Sequence, residues 1–173
     1  MKIKKILQDA ALYLVVLLVG TLPGYLISNG IFGMIASVST DDKRLFRIVN
    51  FVPFLTFVAG VLLFVSFRRE YKREKFRVPE TAVSAVLACG IHLLIAKILS
   101  FAVYVSGPAL YLSEIIVAGE NTGRILAYTD IPDHVYVLTM LAVDAVYVCA
   151  AIFGGYAGVK KRRMERKALT EKE

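Results

Sequence analysis

The sequence predicts an all-α integral membrane protein: a four-helix transmembrane bundle with both termini cytoplasmic and a small extracytoplasmic loop or hairpin between its third and fourth helices. Three observations carry that prediction. Hydrophobic residues make up 57% of the 173 positions and mean hydropathy is +0.64, well above the average for soluble domains. The apolar residues fall into four long runs, where a water-soluble helix would show amphipathic periodicity. Lys and Arg are concentrated in alternate segments between those runs, the pattern that sets membrane orientation.

A helix needs about 20 apolar residues to cross roughly 30 Å of hydrocarbon, where only its own backbone hydrogen bonds are available. Four segments qualify, at about residues 6–28, 48–67, 81–106 and 134–158. They make residues 1–173 a single membrane domain, with an extracytoplasmic loop at 107–133 and a basic cytoplasmic tail at 159–173. The third span is long enough to tilt or to project beyond the bilayer.

With the N-terminus inside, the inner segments hold three basic residues (Lys2, Lys4, Lys5), then six (Arg68 to Arg77) and then seven (Lys160 to Lys172), sixteen in all. The outer segments hold four: Lys43, Arg44, Arg47 and Arg124. The remaining one, Lys97, lies inside a span. This asymmetry places both ends in the cytoplasm. The opening Lys-Ile-Lys-Lys before an apolar run also resembles a signal peptide, with Ser28-Asn29-Gly30 as a poor cleavage site. Apolar character resumes past Gly24, which favours a retained span.

The first outer segment contains IFGMIASV, too short to cross and suited to an interfacial or re-entrant turn. Ser39, Thr40 and Asp41 are placed to cap a helix beginning near Asp42. In the second outer segment, EIIVAG and RILAYT flank Glu120-Asn121-Thr122-Gly123. Apolar, β-branched runs around an Asn/Gly turn read as a hairpin; a membrane-hugging loop is the equal alternative. On the other side, Arg68, Arg69, Arg73, Lys160, Lys161, Arg162 and Arg163 read first as topology determinants in a solvated flank. Recognition of anionic lipid is the sharper reading, diluted by Glu70, Glu74, Glu165 and Glu171.

Ionisable groups inside a span are expensive and therefore candidates for function. Three stand out: His92 and Lys97 in the third span and Asp144 in the fourth. Lys97 lies nine residues from Ser106 and Asp144 ten from His134, so both sit roughly 13–15 Å from the outer end at 1.5 Å per residue. The match in depth predicts a Lys97–Asp144 ion pair, either a clasp between helices or a substrate or proton site. Tyr104 and Tyr147, with Asn50, Thr56 and Tyr136, are candidates to line a polar cavity above it. His92 belongs to a four-spaced ridge of Ser84, Ala88, His92, Ala96 and Ser100, suited to close helix packing. Gly20 and Gly24, and Ala150, Gly154 and Gly158, form similar small-residue rows. Cys89 and Cys149 read as buried packing residues.

The basic balance does not indicate nucleic acid, because the charges flank apolar spans and form no folded basic face. No phosphate-binding Gly-Lys-Ser/Thr loop, nucleophile elbow or metal-binding His pair occurs. The expectation is a bacterial-type, multi-pass protein of the cytoplasmic membrane, non-enzymatic, with no catalytic residues, metal or cofactor. Its partners are the bilayer and another membrane protein or a homo-oligomer. An accessory or scaffold subunit is the leading reading; a small oligomeric transporter or channel using Lys97 and Asp144 is the alternative.

Overall fold

The computed structural model describes residues 3–27, 43–73, 77–99 and 132–171, excepting the side chains of Leu22, Tyr25, residues 43–50, Ala96, Lys97 and Leu99. The described residues are all-helical apart from short connections. The helices are α1 (Ile3–Leu26), α2 (Lys43–Tyr71), α3 (Val78–Leu99) and α4 (Asp133–Thr170). The predicted hairpin, the interfacial stretch and the Ser39–Asp41 cap lie outside the described residues.

Local chemistry accounts for the helix ends. α3 opens on Val78-Pro79-Glu80. Proline is suited to a first turn, where its missing N–H leaves no helical bond broken, and Glu80 complements the positive end of the helix dipole. The Glu80 and Thr81 amides both donate to the Arg77 carbonyl. Pro132, at φ −56° and ψ 135°, holds the chain extended just before α4. α4 then continues for 38 residues, about 57 Å at the α-helical rise, nearly twice a hydrocarbon core. The excess is the basic tail, whose Lys, Arg, Glu, Met, Ala and Leu residues are strong helix formers. The tail is therefore a helical extension of the last span.

Three helical segments are long and apolar enough to cross a membrane: Phe51–Tyr71, Val78–Ile95 and Asp133–Thr170. α1 is 24 residues long, but its first turns carry Lys4, Lys5 and Asp9. The distribution of side chains is the reverse of that in a water-soluble bundle. Val19, Phe64, Leu94, Leu138 and Phe153 are exposed, while Asp9, Ser66, Glu70, Ser84, His92 and Asp144 are buried. In water, an apolar surface this extensive would mark a binding face. In hydrocarbon it is the surface that is solvated, and the polar groups turn inward.

Four contacts organise the bundle: α2 on α4, the most extensive, then α1 on α3, α1 on α2 and α3 on α4. Each helix packs chiefly on two others, in the cyclic order α1–α2–α4–α3. Consecutive helices run antiparallel, so Lys5 of α1, Arg73 after α2, Glu80 of α3 and Glu165 of α4 gather at one end, the basic end. The inward face of α2 repeats every four residues, as Phe54, Val58, Leu62, Ser66 and Glu70. Gly154 and Gly158 of α4 lie against this helix. A Cβ at Gly154 would stand 2.2 Å from the Leu63 carbonyl oxygen, and one at Gly158 would stand 2.4 Å from that of Phe67. The α2 and α4 backbones therefore touch. Lipid tails are as apolar as leucine, so such close packing is a principal source of helix affinity in a membrane.

Gly154→Ala is expected to force α2 and α4 apart and to destabilise the fold by about 1–3 kcal/mol, the usual range for overpacking. Gly60→Ala, where an added Cβ meets nothing within 4 Å, is expected to be neutral or slightly stabilising. Thermal unfolding of the two variants in one detergent separates these outcomes.

Candidate functional site

Two polar regions occupy the interior. The first closes the basic end. Asp9 faces inward one helical turn beyond Lys5 on α1, and its carboxylate is buried. It accepts hydrogen bonds from the Arg69 guanidinium and, at 3.1 Å on each oxygen, from Arg73. Arg73 also donates to Glu70, which is itself buried. Beside this cluster, Lys5 of α1 reaches Glu80 of α3 at 2.7 Å, and Arg77 donates to the same carboxylate at 3.1 Å. α1, α2 and α3 are thus tied by charge at the basic end. Burial alone would lower the Arg73 pKa. Hydrogen bonding to Asp9 and the charges of Glu70 and Asp9 outweigh it and hold the guanidinium above its ordinary value.

One turn deeper, a neutral relay continues the link. Tyr13 of α1 donates to the Ser66 hydroxyl of α2 at 3.1 Å, and Ser66 donates to the Ala151 carbonyl of α4 at 2.6 Å. Ser66 is wholly buried, and its hydroxyl serves both neighbouring helices.

The second region lies between α3 and α4. Asp144 is 7% exposed and faces the Cys89 thiol across the interface. Its Oδ1 has no hydrogen-bond partner among the described residues. Tyr147, one turn along α4, packs beside the pair. A groove of about 430 Å³ opens from this carboxylate toward the outside of the bundle, walled by Val86, Gly90, Leu93, Leu141, Ala145 and Cys149. Gly90, Ala145 and Cys149 are exposed, as are Val86 and Leu141, so the rim mixes small and large apolar residues.

The side chain of Lys97 lies outside the described residues, and with it the Lys97–Asp144 pair; Tyr104 lies outside them altogether. The backbone places Lys97 eight residues past Cys89, about 12 Å along α3, whereas Asp144 is level with Cys89. His92 is buried with Ser84 and Ala88 on the inward face of α3. Tyr136 and Tyr147 are packed in the core and Thr56 is exposed, while the side chain of Asn50 lies outside the described residues. Gly24 lies 3.3 Å from the Phe54 and Phe57 rings by its virtual Cβ, whereas Gly20 meets nothing within 4 Å. Ala150 is half-buried beside the Gly154–Gly158 contact. Cys149, expected in the core, is exposed, because the inward stripe of α4 passes through Tyr147 and Ala151 and leaves it on the opposite side. Arg69 and Arg73 are not simply a solvated flank, since Asp9 engages both. Arg68, Lys160, Lys161, Arg162 and Arg163 remain at the surface or partly so.

Sequence reasoning passes over Asp9 because it stands near a span end, where a carboxylate reads as boundary. Its signal was its place in the apolar run from Ile6 to Val19, which only Gln8 and Asp9 interrupt. Among the described residues no group of three His, Cys, Asp or Glu side chains is placed to hold a metal ion. Comparison with known protein families, curated proteins and solved structures finds no match to this chain.

Ser66→Ala is expected to destabilise the fold more than Tyr13→Phe. The first strands a buried phenol, at about 1–3 kcal/mol, while the second only removes a bond, at about 0.5–1.5 kcal/mol. Unfolding titrations in mixed micelles give the order directly.

Proposed function

We propose that this chain is a non-enzymatic accessory or scaffold subunit of a bacterial-type cytoplasmic membrane, a four-span bundle with both termini in the cytoplasm that docks a transmembrane helix of another protein in its α3–α4 groove. One observation carries the reading: a nine-tenths-buried carboxylate, Asp144, with one oxygen lacking a hydrogen-bond partner among the described residues, lines an apolar groove whose rim includes Gly90, Ala145 and Cys149. Small residues on a rim let a helix backbone approach closely, and a carboxylate lining an intramembrane groove favours a partner that brings a donor. The occupant is therefore a transmembrane helix carrying Lys, Arg or an amide or hydroxyl side chain at mid-depth.

A symmetric second copy suits the groove poorly. Two-fold pairing places the same patch on both subunits and would set Asp144 against Asp144. The centre of the bundle is filled by Tyr13, Leu17, Phe54, Leu62, Tyr136 and Met140, each no more than 2% exposed, which favours lateral binding over a pathway along the bundle axis. The positive-inside count supports the orientation, and α1 supplies the fourth crossing with its charged turns at the basic end.

A photo-crosslinking residue at Ala145, in native membranes, tests the reading. It is expected to capture one partner of discrete mass, and Asp144→Leu and Gly90→Leu are expected each to abolish the adduct while leaving thermal unfolding in detergent little changed. An adduct of twice the chain's own mass, or one indifferent to Asp144, would overturn it. An ion flux in proteoliposomes of the purified protein that Asp144→Asn removes would instead establish the transporter reading, to which the same carboxylate is suited.

A further inference from the structure

We infer that the chain carries a binding site for one anionic glycerophospholipid in a cleft between α1 and α2 at the basic end, separate from the Asp144 groove. The cleft has a volume of about 470 Å³. Its membrane-facing wall is apolar, formed by Leu12 of α1 and Phe64 and Val65 of α2. Its outer wall is cationic, formed by Arg68, Arg69, Lys72 and Arg73.

The four cations are not equivalent. Arg69 and Arg73 are turned inward onto Asp9 and Glu70. Arg68 and Lys72 have no ion-pair partner among the described residues. The Arg68 guanidinium rests 5.9 Å over the Phe64 ring, which holds it at the seam between the apolar and basic walls. Arg68 and Lys72 are four residues apart on α2, hence on one helix face with their Cβ atoms about 5–6 Å apart. Two donors at that spacing can share one phosphodiester.

Charge and depth favour the same occupant. Four cations against the carboxylates of Asp9 and Glu70 leave a surplus of two positive charges. The C-terminal end of α2 contributes only about half a negative charge through its dipole, so the cleft attracts anions. The apolar segment of α2 gives way to Arg68 and Arg69, so the cationic wall sits where headgroups begin and the apolar wall where acyl chains begin. A headgroup phosphate fits Arg68 and Lys72, with an acyl chain along Phe64, Val65 and Leu12. A soluble phosphate would use only half of these walls.

Binding is measured on the full chain in neutral detergent, by thermal stabilisation and by native mass spectrometry, with dioleoyl-phosphatidylglycerol, dioleoyl-phosphatidylcholine and inorganic phosphate as separate probes. Phosphatidylglycerol is expected to bind and stabilise, and the other two to do so at least tenfold less well. Arg68→Ala with Lys72→Ala is expected to weaken phosphatidylglycerol binding about thirtyfold, from roughly fivefold per juxtamembrane cation. Neither residue is part of the Asp9 cluster, so unfolding without lipid should stay near wild type. Lys160→Ala with Arg163→Ala removes equal charge from the exposed α4 tail and is expected to leave binding within twofold. Equal losses in the two double variants would mean diffuse attraction and overturn the site. Equal binding of phosphatidylcholine, or equal stabilisation by inorganic phosphate, would overturn it as well.

Discussion

The arrangement of the basic end depends on the buried carboxylate of Asp9. It is one of the costliest groups to place beside hydrocarbon, and leaving it unpaired would cost more than the bundle's other interactions can readily offset. Arg69 and Arg73 neutralise it from α2, which fixes the rotation and register of α1 on α2. Their capture draws Glu70 inside as a second acceptor and leaves Arg68 and Lys72 facing outward. The Tyr13–Ser66–Ala151 relay then carries the same register across to α4. A charge that looks like a defect in the first helix thus orders three helices.

Register set by polar groups is needed because the hydrophobic effect gives little direction here. A leucine gains almost nothing by moving from lipid to a helix interface, so the bundle is held by contacts that lipid cannot replace. These are backbone against backbone at Gly154 and Gly158, and hydrogen bonds or ion pairs at Asp9, Ser66, Glu70 and Glu80 near the basic end. The contrast with Asp144 follows directly. At the basic end the carboxylates of Asp9, Glu70 and Glu80 each engage a cation within the chain, whereas Asp144 has no ion-pair partner among the described residues and stands beside a lateral groove. The first region has the character of a structural lock and the second that of a contact surface.

The sequence makes the helices legible and leaves their mutual rotation obscure. Long apolar runs locate α1 to α4, because length and composition are what a bilayer selects, but they miss the helical tail by which α4 continues to Thr170. The same uniformity hides which face turns inward, since apolar residues cover all sides of each span. The glycines of α4 were readable as a packing row from spacing alone, because a four-residue repeat of small residues has few other uses. Cys149 was misplaced for the opposite reason: a lone small residue has no period, and only the position of Tyr147 and Ala151 decides its side. Asp144 was visible as an isolated carboxylate. Its thiol neighbour was not, because pairing across helices depends on an axial offset that loop lengths do not determine. Asp9 was hidden by its place near a span end, and the cationic cleft by the assumption that arginines at a boundary face solvent.

A double-mutant cycle on Asp9→Asn and Arg73→Gln, measured by reversible unfolding in lipid nanodiscs, tests the central claim most directly. Each single change is expected to destabilise the bundle by several kcal/mol, because it leaves a buried charge with one partner fewer. The double variant is expected to be far less damaged than the sum, with a coupling of at least about 1 kcal/mol. Effects that add to within about 0.5 kcal/mol would show that Asp9 does not hold α1 on α2, and would contradict the account.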